Sequence, residues 1–179
     1  MLPPDVLTAA WVPNRGGACT TAAVLAALGA LGAERLPDLW DATLALGAQE
    51  PLGAPALMDY VSLPGRPAPL DRRIEDLAAR HGLRVRSSTG LLAPGRPLHA
   101  RDGELLVANL AWGQERPGVY GSWGWNPLKP ETYDTGGHSV LLVATGARGW
   151  LVLDPNHAGL QRWERPGLAV TRTRIRPAG

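Results

Sequence analysis

Three places in this chain carry residues suited to covalent chemistry. Cys19, the sole cysteine, follows Gly16-Gly17-Ala18 where a glycine pair gives way to the alanine- and leucine-rich run Cys19–Leu28. At the N-terminus of a helix, free backbone N–H groups and the helix dipole stabilise a thiolate and lower a thiol pKa. The glycines allow a sharp turn and leave room for a carbonyl beside the sulfur. The same placement also suits a small buried core residue. His138 opens the strand-like run Ser139–Val143 after Gly136-Gly137, and Trp150-Leu151-Val152-Leu153 returns after a glycine-containing turn to Asp154-Pro155-Asn156. A hairpin centred on Gly146 sets His138 opposite Asp154, and one centred on Ala147 sets it opposite Asn156. Either register puts the histidine and an acceptor on one face, with opposed Cβ atoms ~4.5–5.5 Å apart. A slip of one residue would separate them. Nucleophile, base and orienter are the parts of a thiol-based acyl transfer.

The elements that must position these groups read as helices first and strands second. Residues 19–28 are apolar nearly all round and predict a buried helix, closed by Gly29 to Gly32. A second helix is expected from Pro37 to Leu46, and a short third one from Pro55 to Tyr60. The breaker-rich run 62–69 reads as a crossing. Asp71 is expected to cap a helix from Arg72 to His81, with Ile74, Leu77 and Ala78 on one face. Strands are expected at 83–86, 104–110, 139–143, 150–153, 160–163 and 169–175, with long connections at 90–101 and 112–137. The fold class is α+β. A helical lobe (about 1–63) carries the cysteine helix and packs on an antiparallel sheet lobe (about 83–176), all within one domain, 1–179.

Composition narrows the function classes. The 179 residues are 45% hydrophobic and 19% charged, as in a folded globular domain. One cysteine leaves no intramolecular disulfide and no cysteine-based zinc site. With 18 basic and 16 acidic residues the net charge is only +2, too little to argue for nucleic acid. The N-terminus lacks the basic region of a signal peptide, and the longest apolar stretch, 22–31, is about half a membrane span. A cytoplasmic protein with no membrane association is expected.

Taken together, Gly16-Gly17-Ala18-Cys19 opening a helix, Gly137-His138 before an apolar strand and Trp150–Pro155 closing the hairpin resemble the papain-like cysteine peptidases. Within them the pattern is most similar to the bacterial branch related to the double-glycine peptidases that trim bacteriocin leader peptides. The resemblance implies a peptidase with Cys19 as nucleophile, His138 as base and acid, and Asp154 as orienter, Asn156 being the alternative. It also implies a cleft between two lobes and a peptide or protein substrate. Members of that branch carry an oxyanion-hole glutamine about six residues before the cysteine; Pro13 stands there, and Asn14 is the nearest amide, with the Cys19 N–H as the other expected donor. Arg15-Gly16-Gly17-Ala18-Cys19 also looks like the cysteine motif of arylamine N-acetyltransferases, and the hairpin is similar to theirs and to that of transglutaminases, which makes acyl transfer a second reading. A catalytically idle papain-like domain that binds peptide or a partner protein is a third.

Other features are secondary. Trp112, Tyr120, Trp123, Trp125 and Tyr133 crowd the connection to His138 and could line a cleft or pin a loop. Arg172, Arg174 and Arg176 alternate along one strand, which reads as a solvated outer face ahead of an anionic partner. No phosphate loop is present, and the spacing of His138, Asp154 and His157 matches no metal site. Neither cofactor nor metal is expected.

Overall fold

The computed structural model describes residues 2–47, 55, 57–93, 96–101, 103–122 and 137–179. It is α+β: four α-helices precede a seven-stranded antiparallel sheet. The helices are α1 (Pro4–Ala9), α2 (Cys19–Ala30), α3 (Leu39–Ala45) and α4 (Pro69–Arg80), with a 3-10 turn at Leu57–Tyr60. The strands are β1 (Val85–Leu91), β2 (Leu105–Arg116), β3 (Val119–Ser122), β4 (His138–Gly146), β5 (Gly149–Leu153), β6 (Leu160–Trp163) and β7 (Leu168–Pro177). The main path is β1-β7-β2-β4-β5-β6, with β3 paired to β2. No helix among the described residues is long and apolar enough to cross a membrane.

Helix α2 carries little side-chain asymmetry, and Ala22 to Leu28 are buried. It lies in the core that the helices build on one face of the sheet, with Leu105, Val107, Leu141, Val143 and Ile175 from the strands. The opposite face holds a second cluster, Leu106, Ala108, Leu110, Val140, Leu142, Val152 and two tryptophans, closed over by Leu98. Both faces of β2 and β4 are therefore buried, which explains their unbroken apolar runs.

Several boundaries differ from expectation for local reasons. Asp38, not Pro37, begins α3, because its carboxylate accepts the Asp41 N–H at 2.8 Å. Asp71 is not a cap. Helix α4 starts three residues earlier than expected, at Pro69, and the buried Asp71 carboxylate turns to β1, accepting from Ser87 Oγ at 2.8 Å and Thr89 Oγ1 at 2.6 Å. The expected third helix is a 3-10 turn limited to 57–60. Helix α1 and strand β3 were not expected; the first is too short for a periodic signal, and the second lies inside the long 112–137 connection.

The β4–β5 hairpin is the feature that matters for chemistry. Its tip is Ala147-Arg148, flanked by Gly146 opposite Gly149, a register that continued unchanged would send His138 and Asp154 to opposite faces. A bulge between Leu142 and Ala144 shifts the pairing by one, so that Leu142 meets Val152 and Leu141 meets Leu153. Beyond it, the numbers of paired residues keep an even sum, the condition under which His138 and Asp154 can meet. Neither tip position expected from the sequence is the observed one; the inner half of the ladder follows the Ala147-centred register, and the bulge supplies the difference. Gly149 is fixed by this geometry: its φ is +90°, and a Cβ there would lie 1.9 Å from the Trp163 carbonyl oxygen.

Candidate active site

Helix α2 presents Cys19 at its first position. The preceding Ala18 makes no side-chain cap, so the first-turn N–H groups keep their donor capacity. Gly16 and Gly17 take positive φ of 61° and 88°, turning the chain into the helix. The thiol is intermediate in exposure, with His138 and Ser139 near enough to favour its charged form.

His138 and Asp154 form the buried centre of the site, 4% and 1% exposed. His138 Nε2 lies 2.8 Å from Asp154 Oδ1. That contact leaves Nδ1 as the ring nitrogen for the sulfur. In the Ala147-centred register the residue opposite His138 would be Asn156, yet Asp154 holds the ring. The reason is local: β5 pairing ends at Leu153, and the chain turns, with the Asn156 N–H donating to Asp154 Oδ1 at 2.8 Å and the His157 N–H to the Asp154 carbonyl at 3.0 Å. The carboxylate sits diagonally across from the histidine and accepts from both it and the turn. Asn156 is exposed and carries no bond to the ring among the described residues.

The turn is tied to the cysteine loop from outside. Trp11 Nε1 donates to the Asp154 carbonyl at 2.8 Å, and the Asn14 N–H to that of Pro155 at 2.8 Å. Asn14 Nδ2 donates to Asn156 Oδ1 at 2.9 Å, while Asn14 Oδ1 is buried with no partner among the described residues. Amide orientation follows from the bonding network. Turning both amides over keeps their mutual bond and puts the Asn14 NH2 group in the buried position as a free donor. His157 Nε2 donates to the Glu115 carbonyl at 2.6 Å, a structural anchor. No cluster of three potential metal ligands occurs among the described residues.

Electrostatics favour an ion pair. Burial pushes the Cys19 thiol pKa up, but hydrogen bonding and charge from His138, with help from Ser139, outweigh it and leave the thiol below its ordinary value. Burial likewise pushes His138 down; the bond to Asp154 and the contact with Cys19 overcome it and raise the imidazole to about 9. Between the lowered thiol value and about 9, thiolate and imidazolium coexist.

A buried polar cluster that no local sequence pattern announces adjoins Cys19 and His138. Ser139 Oγ lies 2.8 Å from Thr20 Oγ1 and also bonds Asn109 Oδ1. Asn109 Nδ2 donates to Thr171 Oγ1 at 2.6 Å, and the Tyr60 hydroxyl, pushed up to about 12 chiefly by burial, reaches Thr20 and Asn109. The available signal was Asn109 itself, an amide inside an otherwise apolar strand, which must find partners there. Ser139→Ala should move the acid limb of Cys19 alkylation to higher pH, because a bond favouring the thiolate is lost; an unchanged limb would limit Ser139 to packing. Of the aromatic residues that could line a cleft or pin a loop, Trp112 and Tyr120 stack with centroids 5.2 Å apart, and Tyr120 accepts from the Arg165 N–H, so this pair pins the β2–β3 arm. Trp123, Trp125 and Tyr133 lie outside the described residues.

Comparison of the chain with protein-family models, with curated proteins and with solved structures returns no match, so the assignment of a function rests on the site itself.

Proposed function

We propose that this chain is a papain-like cysteine hydrolase acting on peptide bonds, with Cys19, His138 and Asp154 as its triad. The observation that carries the reading is a buried histidine held by a carboxylate at 2.8 Å beside a thiol at a helix N-terminus, whose pKa that histidine lowers. Cys19 thiolate attacks the substrate carbonyl carbon, and its oxygen takes the negative charge. The Cys19 N–H and the Asn14 amide are the donors proposed for that oxygen. His138 gives its proton to the departing amine, the C–N bond breaks, and a thioester remains. Water then attacks the thioester with His138 as base, releasing the acid and restoring the pair. Asp154 holds the imidazole in the tautomer and orientation these steps need. No metal or cofactor has a part in this scheme.

The test offers the protein a reactive acyl ester in the presence of a modest amount of primary amine. Hydrolysis that depends on Cys19, with little amide formed, is the expected result. Predominant amide formation in the wild type and not in Cys19→Ala would replace the peptidase reading by acyl transfer. No acyl-enzyme by intact mass would leave an idle binding domain.

A further inference from the structure

We propose that the outer face of β1 and β7 is a docking surface for an acidic polypeptide segment in extended conformation. The pairing of these strands sets Arg86 opposite Arg176, Ser88 opposite Arg174 and Gly90 opposite Arg172. The intervening residues Thr89, Thr171, Thr173 and Ile175 are buried on the helix side, so the arginines point away from it. A directly opposed like-charge pair such as Arg86–Arg176 is destabilising in a sheet. A chain whose net charge is only +2 has thus gathered positive charge on one face.

Compensation from the protein is incomplete. Glu104 Oε2 approaches Arg174 Nε only to 3.7 Å, and both atoms are buried without a hydrogen-bond partner among the described residues. Partial burial first, and then the charges of Arg174, Arg96 and Arg101, depress the Arg172 guanidinium, with Glu104 acting the other way. Arg96 and Arg101 belong to the segment that crosses this side of the sheet beside Leu98.

Shape and spacing point to the occupant. Ser88 and Gly90 are small, and a Cβ at Gly90 would meet nothing within 4 Å, so a trough runs beside the β7 arginines. Alternate residues on a strand repeat every ~6.6 Å, the spacing of Arg172, Arg174 and Arg176 and equally of alternate side chains in an extended peptide. Carboxylates at that interval can each take a charge-assisted, bidentate arginine contact. The strand residues on this face include no aromatic ring on which bases could stack, which disfavours single-stranded nucleic acid. The free edge of β1 is not the docking element: Glu75 Oε1 accepts the Ser87 N–H at 2.9 Å, and Ser62 Oγ donates to the Thr89 carbonyl at 2.9 Å.

The test is fluorescence anisotropy with a labelled peptide of about ten residues alternating glutamate and serine, at low salt. Wild type and Cys19→Ala should bind it equally, which separates this surface from the cysteine chemistry. Arg172→Ser with Arg176→Ser should weaken binding about tenfold or more. Gly90→Glu, which places a carboxylate in the open trough and removes no arginine, should weaken it similarly. Circular dichroism checks that each variant is folded. The proposal is overturned if the peptide does not bind, if those variants bind as wild type does, or if oligothymidylate or anionic vesicles bind the arginine face in preference to the peptide.

Discussion

Asp154→Ala is expected to lower hydrolysis on the order of a thousandfold, whereas Asn156→Ala should lower it by less than about tenfold. The difference follows from what each side chain holds. Asp154 is 1% exposed and binds His138 Nε2 at 2.8 Å, and it also accepts the Asn156 N–H that shapes the turn. Its removal takes from a buried imidazole the carboxylate that holds Nε2 and fixes the tautomer. Breaking a buried pair in this way costs about 3–5 kcal/mol, so the midpoint of urea unfolding should fall as well. Asn156 is exposed, and its side chain accepts a hydrogen bond from Asn14. Asp154→Asn is the informative intermediate, because it can keep the turn bond and the ring contact while removing the negative charge that raises His138. Its activity should decline at lower alkaline pH than that of the wild type. Equal losses in Asp154→Ala and Asn156→Ala would contradict the assignment.

The second large effect belongs to His138. In His138→Ala, Cys19 keeps the burial that raises its pKa and loses the neighbour that chiefly lowers it. The thiol pKa should therefore rise, and hydrolysis should fall on the order of a thousandfold or more, since the base and the proton donor vanish together. An unaltered rate at neutral pH would remove His138 from the chemistry.

The sequence carried part of this site and not the rest, for identifiable physical reasons. Glycines before Cys19 and the apolar run after it mark a helix start, because both signals are local. The pairing of His138 with Asp154 was legible only as a choice between registers. Register depends on the tip and on the bulge between Leu142 and Ala144, and Val143 looks like any other apolar strand residue. That Asp154 wins over Asn156 reflects the end of the ladder at Leu153, where the chain departs from the extended path on which the register argument rests. The Ser139–Thr20–Asn109 cluster was out of reach because its members come from three elements that only the packing of α2 on the sheet brings together. At Asp71, a good capping residue became the buried partner of two strand hydroxyls, a tertiary role that no local rule anticipates.

The most direct test of the central claim is the pH dependence of Cys19 alkylation by iodoacetamide, followed by intact mass. An ordinary thiol, with pKa ~8.5, becomes about 75-fold more reactive between pH 6 and pH 8 as its thiolate fraction grows. Cys19 in the wild type should react readily at the lower pH and gain far less over that interval, because its thiolate is already paired with the His138 imidazolium. In His138→Ala the steep climb should return. A wild-type profile that follows the ordinary thiol, or a thiol that reacts only after denaturation, would contradict the ion pair and the chemistry built on it.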